Sequence, residues 1–204
     1  DMVRVACYIH QIPAAIEMIE HFHGLGYETT CNIMAISQAN SDQVEQALEM
    51  LSQCSVDVIY LVDSYGSLYP ENASALAQTY IGAAEKMGKK VGIHTHNNQQ
   101  LAFANTIETM SYGVSYLDAT IQGMGRGAGN CSMELLLGFL KNPKYNLYNL
   151  LNFIEKYMLP LKEQGVVWGY DLQYMFTGQL NRHPREAIDF TAQNRHDYAE
   201  FYKS

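Results

Sequence analysis

The chain has 204 residues with a formal net charge of −8, and 48% of them are hydrophobic, enough to fill one sizeable core. An acidic balance with no basic patch excludes non-specific attraction to nucleic acid or to an anionic membrane surface and points to small-molecule partners. No apolar run approaches the roughly 20 residues of a membrane span, and the opening Asp1-Met2-Val3-Arg4 lacks the charged-then-apolar order of a signal peptide, so a cytoplasmic location is expected.

In chain order, an apolar run over residues 3–9 predicts a first strand, with His10 as a polar residue near its end. A helical pattern over 14–24 closes on Gly24-Leu25-Gly26. A second strand over 29–36 leads to Ser41-Asp42-Gln43-Val44, which has the composition of a helix start. The third strand, 56–62, runs into Asp63-Ser64-Tyr65-Gly66-Ser67-Leu68-Tyr69-Pro70, with the proline opening a helix to about residue 86. Asp63 reads equally well as part of a functional loop or as an acceptor of backbone hydrogen bonds.

The fourth strand, 90–94, ends in His94-Thr95-His96-Asn97-Asn98. Alternate strand residues point the same way, so the two imidazoles share a face and are close enough to share a metal ion. Two ordinary strand-end histidines are the other reading. Asn98 suits the cap of a helix beginning at Gln99 or Gln100. The fifth strand, 114–121, flows into Gln122-Gly123-Met124-Gly125-Arg126-Gly127-Ala128-Gly129-Asn130, where four glycines in seven residues let the backbone approach a ligand closely. No acidic residue follows at dinucleotide-fingerprint spacing. Helices between strands end near Gly88 and Gly113.

From residue 142 the pattern turns helical and tyrosine-rich: an amphipathic helix around 149–154 broken at Pro160, then 170–180, then 184–202 capped by His183-Pro184. Cys7, Cys31, Cys54 and Cys131 stand at irregular intervals in apolar surroundings and are expected to be reduced and buried.

Five strand-then-helix units at intervals of about 25 to 33 residues mean parallel strands with right-handed crossovers, in a doubly wound sheet or a TIM (β/α)8 barrel. Eight units need about 200 to 250 residues, whereas only about 140 carry the rhythm. The preferred reading is strands 4–8 of a barrel over residues 1–141, whose first three strands lie upstream of Asp1, followed by a helical C-terminal extension over 142–204.

Three strand ends together resemble the DRE-TIM metallolyases, the HMG-CoA-lyase-like or pyruvate-carboxyltransferase-like group. The matching motifs are D-S-x-G-x-x-x-P from Asp63 to Pro70, H-x-H-N-N with A-x-A-N from His94 to Asn105, and G-x-G-x-x-x-G-N from Gly123 to Asn130. Within the group the chain is most similar to the 4-hydroxy-2-oxovalerate aldolases. The resemblance implies a divalent metal ion, Mn(II) first and Mg(II) or Co(II) next, held by His94, His96 and Asn130. It further implies a small 2-oxo acid substrate bound by Ser37, Gly123, Gly125, Arg126 and Gly127, and cleavage to pyruvate and an aldehyde. Arg126 reads equally as a solvated rim residue. The family's helical extension closes over the barrel mouth and contributes a tyrosine, for which Tyr170 and Tyr174 are the candidates. The same extension makes subunit contacts, so a homodimer is expected, with an acylating aldehyde dehydrogenase as a conceivable partner.

The family's metal-ligating aspartate, the arginine after it and the catalytic base have no match in this chain. HMG-CoA lyases carry a cysteine inside the last glycine loop, whereas here Cys131 follows Asn130. Isopropylmalate and homocitrate synthases usually place an acidic residue where Arg126 stands, and remain the alternative as Claisen-type acyl transferases. An alternative of another class is a catalytically inactive barrel fragment with a binding or assembly role.

Overall fold

In a computed structural model, which describes residues 1–203, every apolar run becomes a strand and every strand but the last is followed by a long helix. The order is β1 (Met2–Tyr8), α1 (Ile12–Gly24), β2 (Glu28–Met34), α2 (Ser41–Ser52), β3 (Val58–Asp63), α3 (Pro70–Met87), β4 (Lys90–Thr95), α4 (Ala102–Ser111) and β5 (Tyr116–Leu117). The sheet is parallel and keeps chain order, β1-β2-β3-β4-β5. That is the succession of consecutive barrel strands, since a doubly wound sheet reverses direction at a switch point.

Local chemistry sets the boundaries. Asn40 and Gln43 form a reciprocal capping box at the start of α2, each side chain bonding the other's backbone N–H. Gly88 closes α3 with φ +64°, a left-handed turn that glycine adopts at no steric cost.

Four local expectations are corrected, the last of them in the second unit described below. Asn98 caps no helix: Gln100 turns left-handed at φ +61°, α4 begins at Ala102, and the Asn97 carboxamide accepts the Ala102 N–H instead. The fifth strand is short, because Ile121–Gly123 form a 3-10 turn rather than extended chain. Pro160 does not break its helix: the π turn Ile154–Met158 ends first, and the proline falls in the first turn of the next helix, where no N–H is required.

The chain divides into two compact units. The first comprises Asp1–Ser64, Leu68–His94 and Ala104–Asp118 and contains the sheet. Its odd-numbered strand residues, Val5, Cys7, Cys31, Ile33, Ile59, Leu61, Val91 and Ile93, are buried with Ile12, Ile19, Leu48, Leu51, Ala77 and Tyr80 of the helices. Truncating one such residue, Leu61→Ala, costs about 2–5 kcal/mol. The even-numbered positions form the other face, with Arg4, Thr30, Asn32, Tyr60, Gly92 and His94 on it. A one-residue slip would exchange the two faces, so this alternation fixes the register.

The second unit comprises Tyr65–Ser67, Thr95–Phe103 and the chain from Ala119 on. Its helices are α5 (Met133–Leu140), α6 (Leu147–Phe153), α7 (Leu159–Glu163), α8 (Leu172–Gln179), α9 (Arg185–Ala192) and α10 (Tyr198–Lys203). Ala187, Phe190 and Phe201 pack together with Tyr174, Phe176 and Tyr198. The expected single helix over 184–202 is two, because Asn194 turns left-handed between them. His183 takes part in the cap, accepting the Arg185 N–H on Nδ1 at 3.1 Å. All four cysteines are free and buried. No helix among the described residues is long and apolar enough to cross a membrane.

Candidate functional site

Within the first unit, His94 ends its strand beside a carboxylate. Its Nδ1 lies 2.9 Å from Asp118 Oδ2, and Asp118 is also gripped by both terminal nitrogens of Arg4, at 3.1 and 2.6 Å. Burial opposes a charge on Asp118, but hydrogen bonds from His94 and Arg4 outweigh it and hold the carboxyl below its ordinary range. A carboxylate only accepts, so Nδ1 is the His94 nitrogen that carries a hydrogen in this contact. The Arg4 guanidinium lies over the Tyr60 ring at 4.4 Å. Tyr60 in turn packs on Gly92, where a Cβ would meet the ring at 2.5 Å.

Within the second unit, residues 95–97 and 129–131 run alongside each other. The Asn97 N–H donates to Gly129 O at 2.8 Å and the Cys131 N–H to Thr95 O at 3.2 Å, which sets His96 and Asn130 opposite one another in an antiparallel bridge. Asn130 Nδ2 donates to Met124 O at 3.2 Å and so fixes the carboxamide. Its Oδ1 is buried and has no hydrogen-bond partner among the described residues, an unmet acceptor that a cation or a donor would satisfy. Among those residues no three His, Cys, Asp or Glu side chains form a metal cluster. His96 and Asn130 would offer a cation a mixed nitrogen and oxygen set, of a kind that divalent first-row ions accept.

The glycine loop is required by its own geometry. Gly123, Gly127 and Gly129 take φ of +61°, +57° and +84°, and a Cβ on Gly129 would collide with Gly123 O. A Cβ on Gly125 would stand 2.5 Å from Asn130 Nδ2, so this glycine keeps room for the carboxamide. The Gly123 N–H is committed to Thr120 O, and the Gly129 N–H to Arg126 O. Arg126 is exposed at the loop tip.

The remaining expected residues divide. The Tyr174 ring lies against Gly127, while Tyr170 is more than half exposed and lines a cavity of about 220 Å³ with Asn97, Gly123, Asn130 and Trp168. Ser37 is half-buried in the turn after β2, and His10 is exposed, stacked on Tyr8. Asp63 is buried and accepts the Leu68 N–H at 3.2 Å. Sequence reading missed Arg4 and Asp118 as partners of His94. The signal was present: a lone arginine inside an apolar strand calls for a carboxylate.

A family model described as HMGL-like matches residues 7–155. Similar curated proteins include the 4-hydroxy-2-oxovalerate aldolase of Thermus thermophilus, 30% identical over 165 residues that make up 79% of this chain and 47% of the relative. They also include the oxaloacetate decarboxylase of Mycobacterium tuberculosis, 30% identical over 141 residues, 69% of this chain and 41% of the relative. The chain thus spans less than half the length of these relatives. Among solved structures, an N-terminal domain of a putative aldolase from Bacteroides vulgatus matches with TM-score 0.80 and 32% identity over 94% of this chain and 64% of that one. The carboxyl transferase domain of Rhizobium etli pyruvate carboxylase matches with TM-score 0.74 at 14% identity, over 98% of this chain and 36% of that one, a likeness of fold alone.

Proposed function

The chain belongs to the HMGL-like family, and from that membership we propose that it is the metal-binding part of a carbon–carbon lyase that cleaves a 4-hydroxy-2-oxo acid to pyruvate and an aldehyde. The observation that carries this reading is the unmet, buried Oδ1 of Asn130 held opposite His96. His94 joins the set through its i, i+2 relation to His96 along the chain. A divalent ion, Mn(II) in this proposal, supplies when bound a positive charge facing the ketone oxygen on which negative charge develops.

The chain's own residues then have distinct tasks. The two imidazoles and the Asn130 oxygen would hold the ion without neutralising it, since none carries negative charge. Gly125 keeps clear the space that the Asn130 carboxamide occupies. Gly123 and Gly127 hold the loop, whose tip presents Arg126 to a substrate carboxylate. Ser37 is assigned to the same substrate, and Tyr170 to the proton that C3 of the pyruvate enolate takes up once the C3–C4 bond has broken and the aldehyde has left. The base that takes the 4-hydroxyl proton is assigned to no residue of this chain. We extend the proposal to a barrel part over 1–141, an extension over 142–204, a homodimer, an aldehyde dehydrogenase partner and a cytoplasmic setting, all on the family resemblance.

The oxaloacetate decarboxylase among the relatives supports a second reading. Losing CO₂ from oxaloacetate and an aldehyde from a 4-hydroxy-2-oxo acid both break the C3–C4 bond of a 2-oxo acid and leave charge on the same ketone oxygen. Pyruvate release by the full-length protein with Mn(II) separates them. The aldolase reading expects turnover of 4-hydroxy-2-oxovalerate exceeding that of oxaloacetate. The reverse order would favour the decarboxylase, free CoA released from acetyl-CoA would favour a synthase, and no Mn(II) binding at all would leave the binding or assembly role.

A further inference from the structure

We propose that Asp118, braced by Arg4, is a positioning residue that fixes His94 as its Nδ1–H tautomer and thereby makes Nε2 the nitrogen offered to a cation; this rests on the metal reading above. Four strands converge on the arrangement. Arg4 comes from β1, Tyr60 from β3, Gly92 and His94 from β4, and Asp118 directly follows β5. Asp118 Oδ2 receives both Arg4 Nη2 at 2.6 Å and His94 Nδ1 at 2.9 Å, so one oxygen couples the arginine to the imidazole.

An ion pair serving the fold alone would need no histidine. Here the carboxylate is held from one side by two guanidinium nitrogens, which leaves it little freedom to turn, and the histidine meets a fixed acceptor. The backbone adds to the rigidity: the Asp118 N–H donates to Ile93 O at 3.0 Å, so the peptide carrying the carboxylate is tied to the residue just before His94. Burial first, and then the Asp118 charge, pushes the Tyr60 hydroxyl above its usual range, so it stays neutral beside the pair. A ligating histidine whose second nitrogen is bound to a carboxylate gains basicity at the ligating nitrogen and loses rotational freedom, and removing such a partner typically weakens metal affinity about 10–100-fold.

The test uses the metal-free and Mn(II)-loaded full-length protein with ¹⁵N-labelled histidine. Long-range ¹H–¹⁵N spectra, assigned by the signal lost in His94→Ala, should show His94 protonated on Nδ1. In Asp118→Asn an amide can donate to Nδ1, so the population should move toward the Nε2–H tautomer and the Mn(II) dissociation constant, read by electron paramagnetic resonance, should rise about 10–100-fold. Asp118→Glu should recover part of both. Arg4→Met, at a half-exposed position, should populate both tautomers and carries the same readout should Asp118→Asn fail to fold. An unchanged tautomer in Asp118→Asn, or unchanged Mn(II) affinity alongside a changed tautomer, overturns the proposal. A tautomer that shifts in a protein that never binds Mn(II) supports the ring's positioning and overturns the metal reading instead.

Discussion

The ring of Tyr60 fills the space that a side chain at Gly92 would need, with three of its atoms 2.5–2.6 Å from where a Cβ would stand. Glycine weakens a strand interior, and its presence in β4 is explained by this contact across the sheet. Gly92→Ala should therefore lower unfolding stability by about 1–3 kcal/mol, read as a lower midpoint in urea. Adding Tyr60→Leu should recover most of the loss, because the flexible side chain can yield. A Gly92→Ala midpoint equal to wild type would mean that the ring moves away freely.

Gly127 and Tyr174 stand in a similar relation in the second unit, with the tyrosine ring 2.7 Å from the missing Cβ and the glycine at φ +57°. Gly127→Ala should disturb the loop by strain and by collision together. Trp168, the chain's one tryptophan, donates its indole N–H to Gln122 O at 2.9 Å and reports on that loop. Its emission should shift to the red in Gly127→Ala and stay unchanged in Tyr174→Phe, which keeps the ring. A red shift in Tyr174→Phe would mean that the hydroxyl, rather than the ring, supports the loop.

Tyr80 is fully buried, and its hydroxyl has no hydrogen-bond partner among the described residues. Burial above all, then the neighbouring Cys31 and Cys7, pushes its pKa upward. A raised folded-state value means that the contribution to stability is complete below the unfolded-state pKa of about 10 and is lost as pH rises from there toward the folded-state value. Tyr80→Phe should raise stability at neutral pH by up to about 1 kcal/mol, and its stability should fall less steeply than wild type as pH rises above about 10. Parallel alkaline limbs for the two proteins would remove Tyr80 from the explanation.

Much of the sheet was legible in the sequence because its signals are local. The five apolar runs, the Asn40–Gln43 cap and the left-handed Gly88 depend on residues within a few positions of each other. The His94-x-His96 motif, on which the metal proposal rests, was legible for the same reason, since its two residues sit two positions apart. Arg4 and Asp118 escaped notice because their bond spans 114 positions and joins the first strand of the sheet to the residue just after its last. Asn98 was misread for a related reason. Its carboxamide donates to Tyr174 O and Thr177 Oγ1, partners 76 and 79 residues away, while the nearby Asn97 takes the helix start. A short polar side chain reads as a cap from its neighbours alone, yet its actual partner is a tertiary fact.

Direct titration of Mn(II) into the full-length protein, with His94→Ala, His96→Ala and Asn130→Ala beside wild type, bears most closely on the proposed function. One ion per chain in wild type is expected, weakened at least tenfold by either histidine change and less by the asparagine change, with near-native circular dichroism throughout. Equal Mn(II) affinity in wild type and in both histidine variants would mean that these imidazoles hold no catalytic ion.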